Sequence, residues 1–429
     1  MEPWRPLVPR TLSFLTAGLA ALTVAGMLAA PAEAGTAHSF VVSEKPVAWT
    51  PHILDGSVKS IVQIGRTVVV GGDFSTVTDP NRDVTVERDG LFAFDYGTGR
   101  IDTDFTPRVN GTVVSLAAGP GATVYAGGTF TRVNGYAQRG VTQLSTANGS
   151  RMTAFGGNLD NGATYRLATH SGKLYVGGSF TSISGQSRTG IARLDGTSGA
   201  VDGAFDIAIS EPRRGTLRVQ ELALSPDGRR LLINGTFTKV QGQRRQQIAM
   251  IDTASSPARL GNWSTEAFAS ECDYAKLHTY MRQMSFSPDG SYFAVVTSGG
   301  PEKKPGLCKS ASRWETTDIP QSRHTWVNYT GGDSLYSVEV TGAAVYVGGH
   351  QRWLDNPRGH KSAGEGAVSR EGIGAIDPRT GKALAWNPGR TRGYGVEALL
   401  STPDGLYVGS DTERLNGLYR ARLGMFPAL

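Results

Sequence analysis

The sequence predicts an all-β fold built from repeated units. The segment Gly-Gly-x-Phe occurs at 71–74, 127–130 and 177–180, and a fourth copy at 234–237 has asparagine in place of the first glycine. Weaker copies follow at 298–300, 348–350 and 409–411. The second glycine returns after roughly 50 to 64 residues, a period typical of propellers and other arrays of short β-rich units.

Each unit has the pattern of an antiparallel meander. In the second copy, apolar runs at 113–117, 123–128 and 140–144 are separated by turn sequences that contain Gly-Pro-Gly and Asn-Gly. The runs are short and show no helical period, so they predict strands. An aromatic residue opens a fourth short stretch in every unit, and it occurs seven times: Trp49, Phe105, Phe155, Phe205, Trp263, Trp326 and Trp386.

The two ends of the repeat region predict how the units are arranged. The region begins with a fourth-type strand at 48–51 and finishes with a third-type strand at 420–423. Pairing of these strands would close a ring and leave no free sheet edge at the junction. We therefore expect a seven-bladed β-propeller closed by its N-terminal strand. Six or eight blades is the alternative, because the fifth copy is irregular.

The glycine pair has a structural explanation. Glycine at the end of a strand permits a bulge or a close approach of another backbone. The phenylalanine that follows would then fill the space between neighbouring blades. No helix pattern and no Lys-Ser/Thr pair follows the glycines, so they do not predict a phosphate-binding loop.

The first 34 residues predict a secretory leader. Arg5 and Arg10 precede an apolar run at 11–30, and Ala-Glu-Ala at 32–34 has the small-x-small pattern of a cleavage site. We expect residues 1–34 to be removed and 35–429 to form a single domain that is secreted or associated with the cell surface. An uncleaved membrane tether is the alternative. No later apolar run is long enough to span a membrane.

The charge of the chain bears on its possible partners, and its cysteines bear on a possible disulfide. The formal net charge is +6 and the basic residues are scattered along the chain, so nucleic acid is not expected as a partner. Cys272 and Cys308 are the only cysteines, and in an exported chain such a pair predicts a disulfide. In the propeller, both would lie in loops of the fifth blade on one face.

That face also carries the longest loops, which predict the binding surface. The loop after the sixth glycine pair contains His350, Arg352, Trp353 and Arg370. Three carboxylates on other loops of the same face are expected to converge on it: Asp273, Asp333 and Asp411. Tryptophan and arginine are favoured at binding sites, although a structural, solvated loop explains the same residues. Paired carboxylates there would permit acid–base cleavage of glycans.

No metal or cofactor is expected. The acidic stretch at 79–83 lacks the glycine and the closing glutamate of a calcium loop, and the seven histidines have no zinc-binding spacing. The Pro-Asp-Gly triplets at 226–228, 288–290 and 403–405 are typical of hairpin turns on the opposite face.

Two resemblances extend this interpretation. The run Tyr-Val-Gly-Gly-Ser-Phe-Thr at 175–181, continued by Arg188 and Ile-Ala-Arg-Leu-Asp at 191–195, resembles the delta-sixty propeller repeat of secreted and surface bacterial proteins. This resemblance implies the propeller fold and no catalytic residues. The segment 375–386, Ala-x-Asp-x-x-x-Gly followed by Trp386, is similar to the blade motif of quinoprotein dehydrogenases, in which it is structural. The chain lacks the adjacent cysteine pair of that class.

The sequence thus predicts a secreted, monomeric propeller that binds an extracellular protein or a cell-wall glycan polymer through one loop face. The alternative is an extracellular hydrolase or lyase that acts on glycans and uses carboxylates of the same face.

Overall fold

The computed structural model describes Met1 and residues 35–270, 272, 277–299 and 306–429. Apart from Met1, the predicted leader lies outside these described residues, and so does Asp273. The described part of the chain contains strands and no helix. No helix among those residues has the length and apolar character needed to cross a membrane.

The strands are β1 (His52–Ile53), β2 (Val58–Ile64), β3 (Thr67–Gly72), β4 (Thr76–Thr78), β5 (Thr85–Glu87), β6 (Leu91–Asp95), β7 (Val113–Ala118), β8 (Thr123–Gly128), β9 (Arg132–Val133), β10 (Tyr136–Ala137), β11 (Val141–Ser145), β12 (Thr164–His170), β13 (Lys173–Gly178), β14 (Ser182–Ile183), β15 (Gln186–Ser187), β16 (Ile191–Asp195), β17 (Ile209–Pro212), β18 (Val219–Leu224), β19 (Arg230–Gly235), β20 (Phe237–Val240), β21 (Gln243–Arg244), β22 (Ile248–Asp252), β23 (Arg259–Leu260), β24 (Met281–Phe286), β25 (Tyr292–Thr297), β26 (Ser310–Glu315), β27 (Trp326–Tyr329), β28 (Leu335–Val340), β29 (Val345–Gly349), β30 (Trp353–Leu354), β31 (Val368–Ser369), β32 (Ile373–Ile376), β33 (Ala398–Thr402), β34 (Gly405–Gly409), β35 (Arg414–Leu415), β36 (Leu418–Tyr419) and β37 (Leu423–Pro427).

These strands form consecutive antiparallel sheets, each made from one sequence repeat. We number them sheet 1 (β2, β3, β6), sheet 2 (β7, β8, β11), sheet 3 (β12, β13, β16), sheet 4 (β18, β19, β22, β23), sheet 5 (β24, β25, β26, β27), sheet 6 (β28, β29, β32) and sheet 7 (β33, β34, β37). The first strand of each sheet is called its inner strand. Short hairpins such as β9–β10 and β35–β36 extend the loops between the second and third strands.

The glycine pairs permit close packing of the backbone. A Cβ on Gly127 would lie 2.6 Å from the Thr164 side chain of the next inner strand. A Cβ on Gly128 would lie 2.0 Å from the carbonyl oxygen of Thr112. Equivalent contacts recur at the glycine pairs 71–72, 177–178 and 348–349, and Phe130 and its equivalents are fully or almost fully buried. The first glycine therefore makes room for the next sheet, and the second for the segment that enters its own inner strand.

Polar side chains connect successive inner strands. Ser60 Oγ accepts a hydrogen bond from Leu116 N at 2.9 Å, and Ser115 Oγ accepts one from Leu167 N at 2.9 Å. The later junctions also have a polar bridge, in two cases an ion pair and, between sheets 4 and 5, a bond from Asn234 on the second strand β19: Arg166–Glu221, Asn234–Arg282 O, Gln283–Val338 N, Glu339–Ser401 N and Glu397–Lys59. The last bridge joins sheet 7 to sheet 1.

The N-terminal segment lies along the outer side of sheet 7. Val47 N donates to Met425 O at 2.9 Å, and Ser43 N donates to Pro427 O at 2.9 Å. The Trp49 ring lies among side chains of sheets 7 and 1, with its centroid 6.4 Å from both Tyr407 and Phe94. Trp386 occupies the corresponding place between sheets 6 and 7.

Two details of the predicted unit are corrected. The fourth stretch is a regular strand only in sheets 4 and 5; elsewhere it makes one isolated bridge, such as Phe94 to Ile101, or backbone bonds without a strand. The aromatic residue of the stretch, such as Phe105 or Phe155, is buried between sheets. The last third-type strand is Leu423–Pro427 and not 420–423, since Arg422 has a φ of 61° that interrupts an extended strand.

Candidate functional site

One face of the molecule carries a set of side chains at one repeat position, next to the first residue of each inner strand. In six sheets the inner strand is irregular after its first residue, and a β-bulge of this kind redirects a side chain. The residue at that position is half-buried, and so is its equivalent in sheet 7. We call these seven residues the mouth ring: Lys59, Val114, Tyr165, Gln220, Arg282, Tyr336 and Glu397.

An exposed aromatic residue covers part of the mouth ring. Tyr394 is 58% exposed, and its ring stacks on Tyr336 with centroids 5.0 Å apart and planes 6° apart. The ammonium group of Lys59 lies 5.9 Å from the Tyr394 ring and 2.5 Å from Glu397. Burial raises the pKa of Tyr336 to about 12, so its hydroxyl stays protonated at neutral pH. This pair offers a flat, neutral surface beside cations.

Two guanidinium groups give the mouth ring positive charge. Arg282 donates to the carbonyl oxygens of Thr279 and Met281 at 3.1 and 2.9 Å. Arg218 lies over the Tyr165 ring at 5.5 Å, and its buried Nε makes no hydrogen bond within the described residues. Burial lowers the pKa of Arg282. Neither guanidinium makes a salt bridge to a carboxylate in the described part of the chain.

The predicted His350 cluster lies next to the mouth ring, and the carboxylate of Asp333 within it accepts three hydrogen bonds. Asp333 is 6% exposed and accepts two hydrogen bonds from Arg352, at 2.8 and 3.2 Å. It also accepts one from Arg392 at 3.1 Å. The His350 ring contacts Gly393 O at 2.7 Å, and Arg392 Nε donates to His350 O. These contacts fix the loop at 387–395, which we call the mouth loop and which carries Tyr394.

Asp411 holds the same loop from the other side. Its carboxylate accepts hydrogen bonds from Tyr394 N at 2.6 Å and Gly395 N at 3.0 Å, and from the buried Arg390 at 3.1 Å. The pKa of Arg390 is lowered to about 10, mainly by burial. Asp333 and Asp411 therefore position the mouth loop and have few acceptor positions left for a substrate.

The remaining predicted residues lie at different distances from this arrangement. Trp353 begins β30, and the Arg352 guanidinium stacks over its ring at 4.3 Å, so both join the cluster. Arg370 does not, because its guanidinium bonds the carbonyl oxygens of Ser369 and Leu384 along the side of sheet 6. Arg420 makes the equivalent contact with Val47 O at 2.7 Å. This arginine is thus a repeated structural residue.

The predicted disulfide is present. Cys272 and Cys308 are bonded, with Cα atoms 5.7 Å apart and a sequence separation of 36 residues. Both are buried in the core of sheet 5. The bond joins the loop that enters β24 to the loop between β25 and β26, on the same face as the mouth ring. A disulfide is compatible with an extracellular protein.

Below the mouth ring, the inner strands enclose a cavity of about 360 Å³. Arg166 and Glu339 line it together with Leu116 and Leu399. Arg166 pairs with the buried Glu221 at 2.8 Å. Burial raises the pKa of both Glu221 and Glu339 to about 7. Within the described ranges, no group of three metal-ligating side chains is found here or elsewhere.

No sequence pattern indicated the mouth ring, Arg218, Arg390, Arg392 or Tyr394. The ring residues occupy one repeat position, next to the first residue of each inner strand, but they comprise six residue types. They could have been identified only by aligning the seven inner strands position by position, and not from their residue types.

One part of the chain matches a known family model, and the chain as a whole is similar to solved structures. Residues 171–205 match the family model described as "Domain of unknown function (DUF5122) beta-propeller". No curated protein matches the chain. Among solved structures, the computationally designed Ika8 protein is 13% identical and has a TM-score of 0.48, with 91% of this chain and 99% of that chain covered. The WD40 β-propeller domain of Doa1 is 10% identical with a TM-score of 0.48, and the coverage is 89% and 95%.

Proposed function

We propose that this chain is a secreted β-propeller that binds an acidic partner through the mouth ring and the adjoining His350 cluster. The observation that carries this proposal is the stacked, exposed Tyr394 next to Arg218 and Arg282, two guanidinium groups without a carboxylate partner among the described residues. The partner is an extracellular protein or a cell-wall glycan that presents carboxylate groups.

The proposed scaffold is a ring of seven blades, in which the N-terminal segment completes sheet 7. The bonds from Val47 to Met425 and from Arg420 to Val47 support this closure. So does a Cβ position on Gly409 only 2.4 Å from Val58, which indicates that sheets 7 and 1 pack as other neighbours do. Closure would place the mouth ring around a central channel and hold it rigid, which reduces the ordering cost of binding.

The chemistry of the face favours a ligand that is both anionic and flat. A guanidinium recognises a carboxylate through two parallel hydrogen bonds, and a buried one does so with less competition from water. A tyrosine face packs against a sugar ring or a planar side chain. Because Asp333 and Asp411 each accept three internal hydrogen bonds and have few acceptor positions left, they support binding of a ligand by this face more than they support acid–base cleavage.

A binding screen followed by two substitutions tests the proposal. The purified protein is applied to a glycan array and to a surface-protein fraction at about 150 mM salt, where exposed charges are screened beyond roughly 8 Å. The dissociation constant of the ligand recovered is then measured. Tyr394→Ala and Arg218→Gln are each expected to weaken binding about tenfold or more, equivalent to about 1.4 kcal/mol. Tyr394→Ala removes the flat ring that the ligand is proposed to contact, and Arg218→Gln removes the positive charge.

Tyr136→Ala is the matched control. Tyr136 is 62% exposed and lies on the β9–β10 hairpin, with Arg151 stacked on it at 5.0 Å. Its removal is expected to leave affinity unchanged. A ligand whose affinity is the same for wild type, Tyr394→Ala and Arg218→Gln would refute the proposed site.

A further inference from the structure

The first residues after the predicted leader lie inside the protein. Gly35 is buried, and a Cβ at this position would lie 1.6 Å from the carbonyl oxygen of Val340. Thr36 lines the cavity between the inner strands, at the end opposite to the mouth ring. Thr36 N donates to Ser401 Oγ at 2.6 Å, and Thr36 Oγ1 donates to Ser401 O at 3.0 Å. Only glycine fits where the chain enters this site.

A carboxylate at the same place lacks a cationic partner in direct contact. Glu339 precedes Val340 and accepts hydrogen bonds from Ser401 N at 3.1 Å and Ser401 Oγ at 2.5 Å. The two cations that line the cavity are engaged elsewhere, Arg166 with Glu221 and Lys59 with Glu397. Arg166 attracts Glu339 only at longer range, and burial raises the pKa of Glu339 to about 7. A buried carboxylate of this kind is costly unless a cation joins it.

We propose that removal of the leader creates the missing cation: the free α-ammonium group of Gly35 docks at this end of the cavity and pairs with Glu339. The inference rests on the predicted cleavage after Ala34. Hydrolysis of the Ala34–Gly35 peptide bond consumes one water molecule and leaves a carboxylate on the released leader. The new amine on Gly35 takes up a proton, since an α-amino group has a pKa of about 7.7–8.0.

The docking site distinguishes the processed chain from the unprocessed one. Before cleavage, the nitrogen of Gly35 is a neutral amide that brings no charge to Glu339. Because a Cβ on Gly35 would already collide with Val340, we expect any residue added before Gly35 to fit this site poorly. After cleavage, the nitrogen carries a charge and needs no more space. Processing would therefore stabilise the segment that follows, which bonds the end of β28 in sheet 6 through His38 N and Thr341 O before it reaches sheet 7.

The test compares three forms of the chain 35–429. One begins with free Gly35, released by a protease that cuts directly before it. The second has the same Gly35 acetylated, and the third begins with Ser-Ala before Gly35. The free form is expected to unfold at a temperature about 2 °C or more above the other two. Its α-amino group is also expected to react with an acylating reagent at least tenfold more slowly than that of an unfolded control.

Glu339→Gln separates the charge pair from simple fit. In this background the acetylated and free forms should unfold at the same temperature, while the Ser-Ala form should remain the least stable because the steric conflict persists. The proposal is overturned if acetylation has the same effect in the Glu339→Gln variant as in the wild type, or if the exported protein is found to begin at a residue other than Gly35. These results do not depend on ligand binding at the mouth ring.

Discussion

Trp49→Ala is expected to lower the free energy of unfolding by about 3 kcal/mol, as loss of a large aromatic side chain from a core usually does. The ring fills the space between the last sheet and the first, where its centroid lies 5.2 Å from Tyr96 and 6.4 Å from Tyr407. Its removal would leave a cavity at the one junction that depends on chain segments far apart in sequence. Equilibrium urea unfolding measures the change.

Trp386→Ala is the matched control for this junction. Trp386 makes the same kind of contact between sheets 6 and 7, with ring centroids 5.2 Å from Tyr346 and 5.3 Å from Phe426. The two substitutions are expected to cost similar amounts. A cost below about 0.5 kcal/mol for Trp49→Ala, with a normal cost for Trp386→Ala, would mean that the N-terminal segment contributes little to the fold.

Loss of the disulfide is the second large expected effect. Replacing Cys272 and Cys308 together with serine should lower the free energy of unfolding by about 4 kcal/mol in the chain-entropy model for a loop of this length. Both cysteines are buried among apolar side chains of sheet 5, so the two hydroxyl groups add a further cost. Chemical unfolding of the oxidised protein and the double variant gives the difference.

A reducing agent supplies the control. It should destabilise the wild type once both thiols are shown to be free by thiol titration, and it should leave the double-serine variant unchanged. If the fully reduced wild type unfolds at the same denaturant concentration as the oxidised protein, the bond does not stabilise this face.

Much of the fold could be predicted because its causes are local and repeated. Each glycine pair marks the second strand of a unit, and the contacts of Gly127 with Thr164 and of Gly128 with Thr112 explain why a side chain does not fit at these two positions. The same repeats predicted the strands of the second unit, at 113–117, 123–128 and 140–144, to within one residue of β7, β8 and β11. They also placed the two cysteines in loops of one sheet, where the disulfide is found.

The outer strands were less predictable because they depend on packing between sheets. The fourth stretch contains strand-like residues, but outside sheets 4 and 5 it makes one β-bridge at most, and its aromatic side chain then packs between two sheets. The start of the last strand depends on Arg422, which has a left-handed backbone conformation. No sequence pattern predicted this conformation. Both features follow from long-range contacts.

The candidate site was predicted only in part. His350, Arg352, Trp353, Asp333 and Asp411 do assemble on one face, whereas Arg370 serves the repeat. The sequence could not show that Asp333 and Asp411 would each accept several internal hydrogen bonds. Their partners Arg392 and Arg390 come from a loop with no recognisable motif. Nor could the amino-acid composition of the repeats reveal the mouth ring, because its seven positions, one from each unit, carry six residue types.

Hydrogen exchange at the Val47 amide tests the proposed closure of the ring most directly. This amide donates to Met425 O, although no regular strand includes it. If the N-terminal segment is the outer strand of sheet 7, Val47 should exchange several orders of magnitude more slowly than an unstructured peptide and should lose protection together with β37. Exchange at the unprotected rate, while β37 stays protected, would contradict the account.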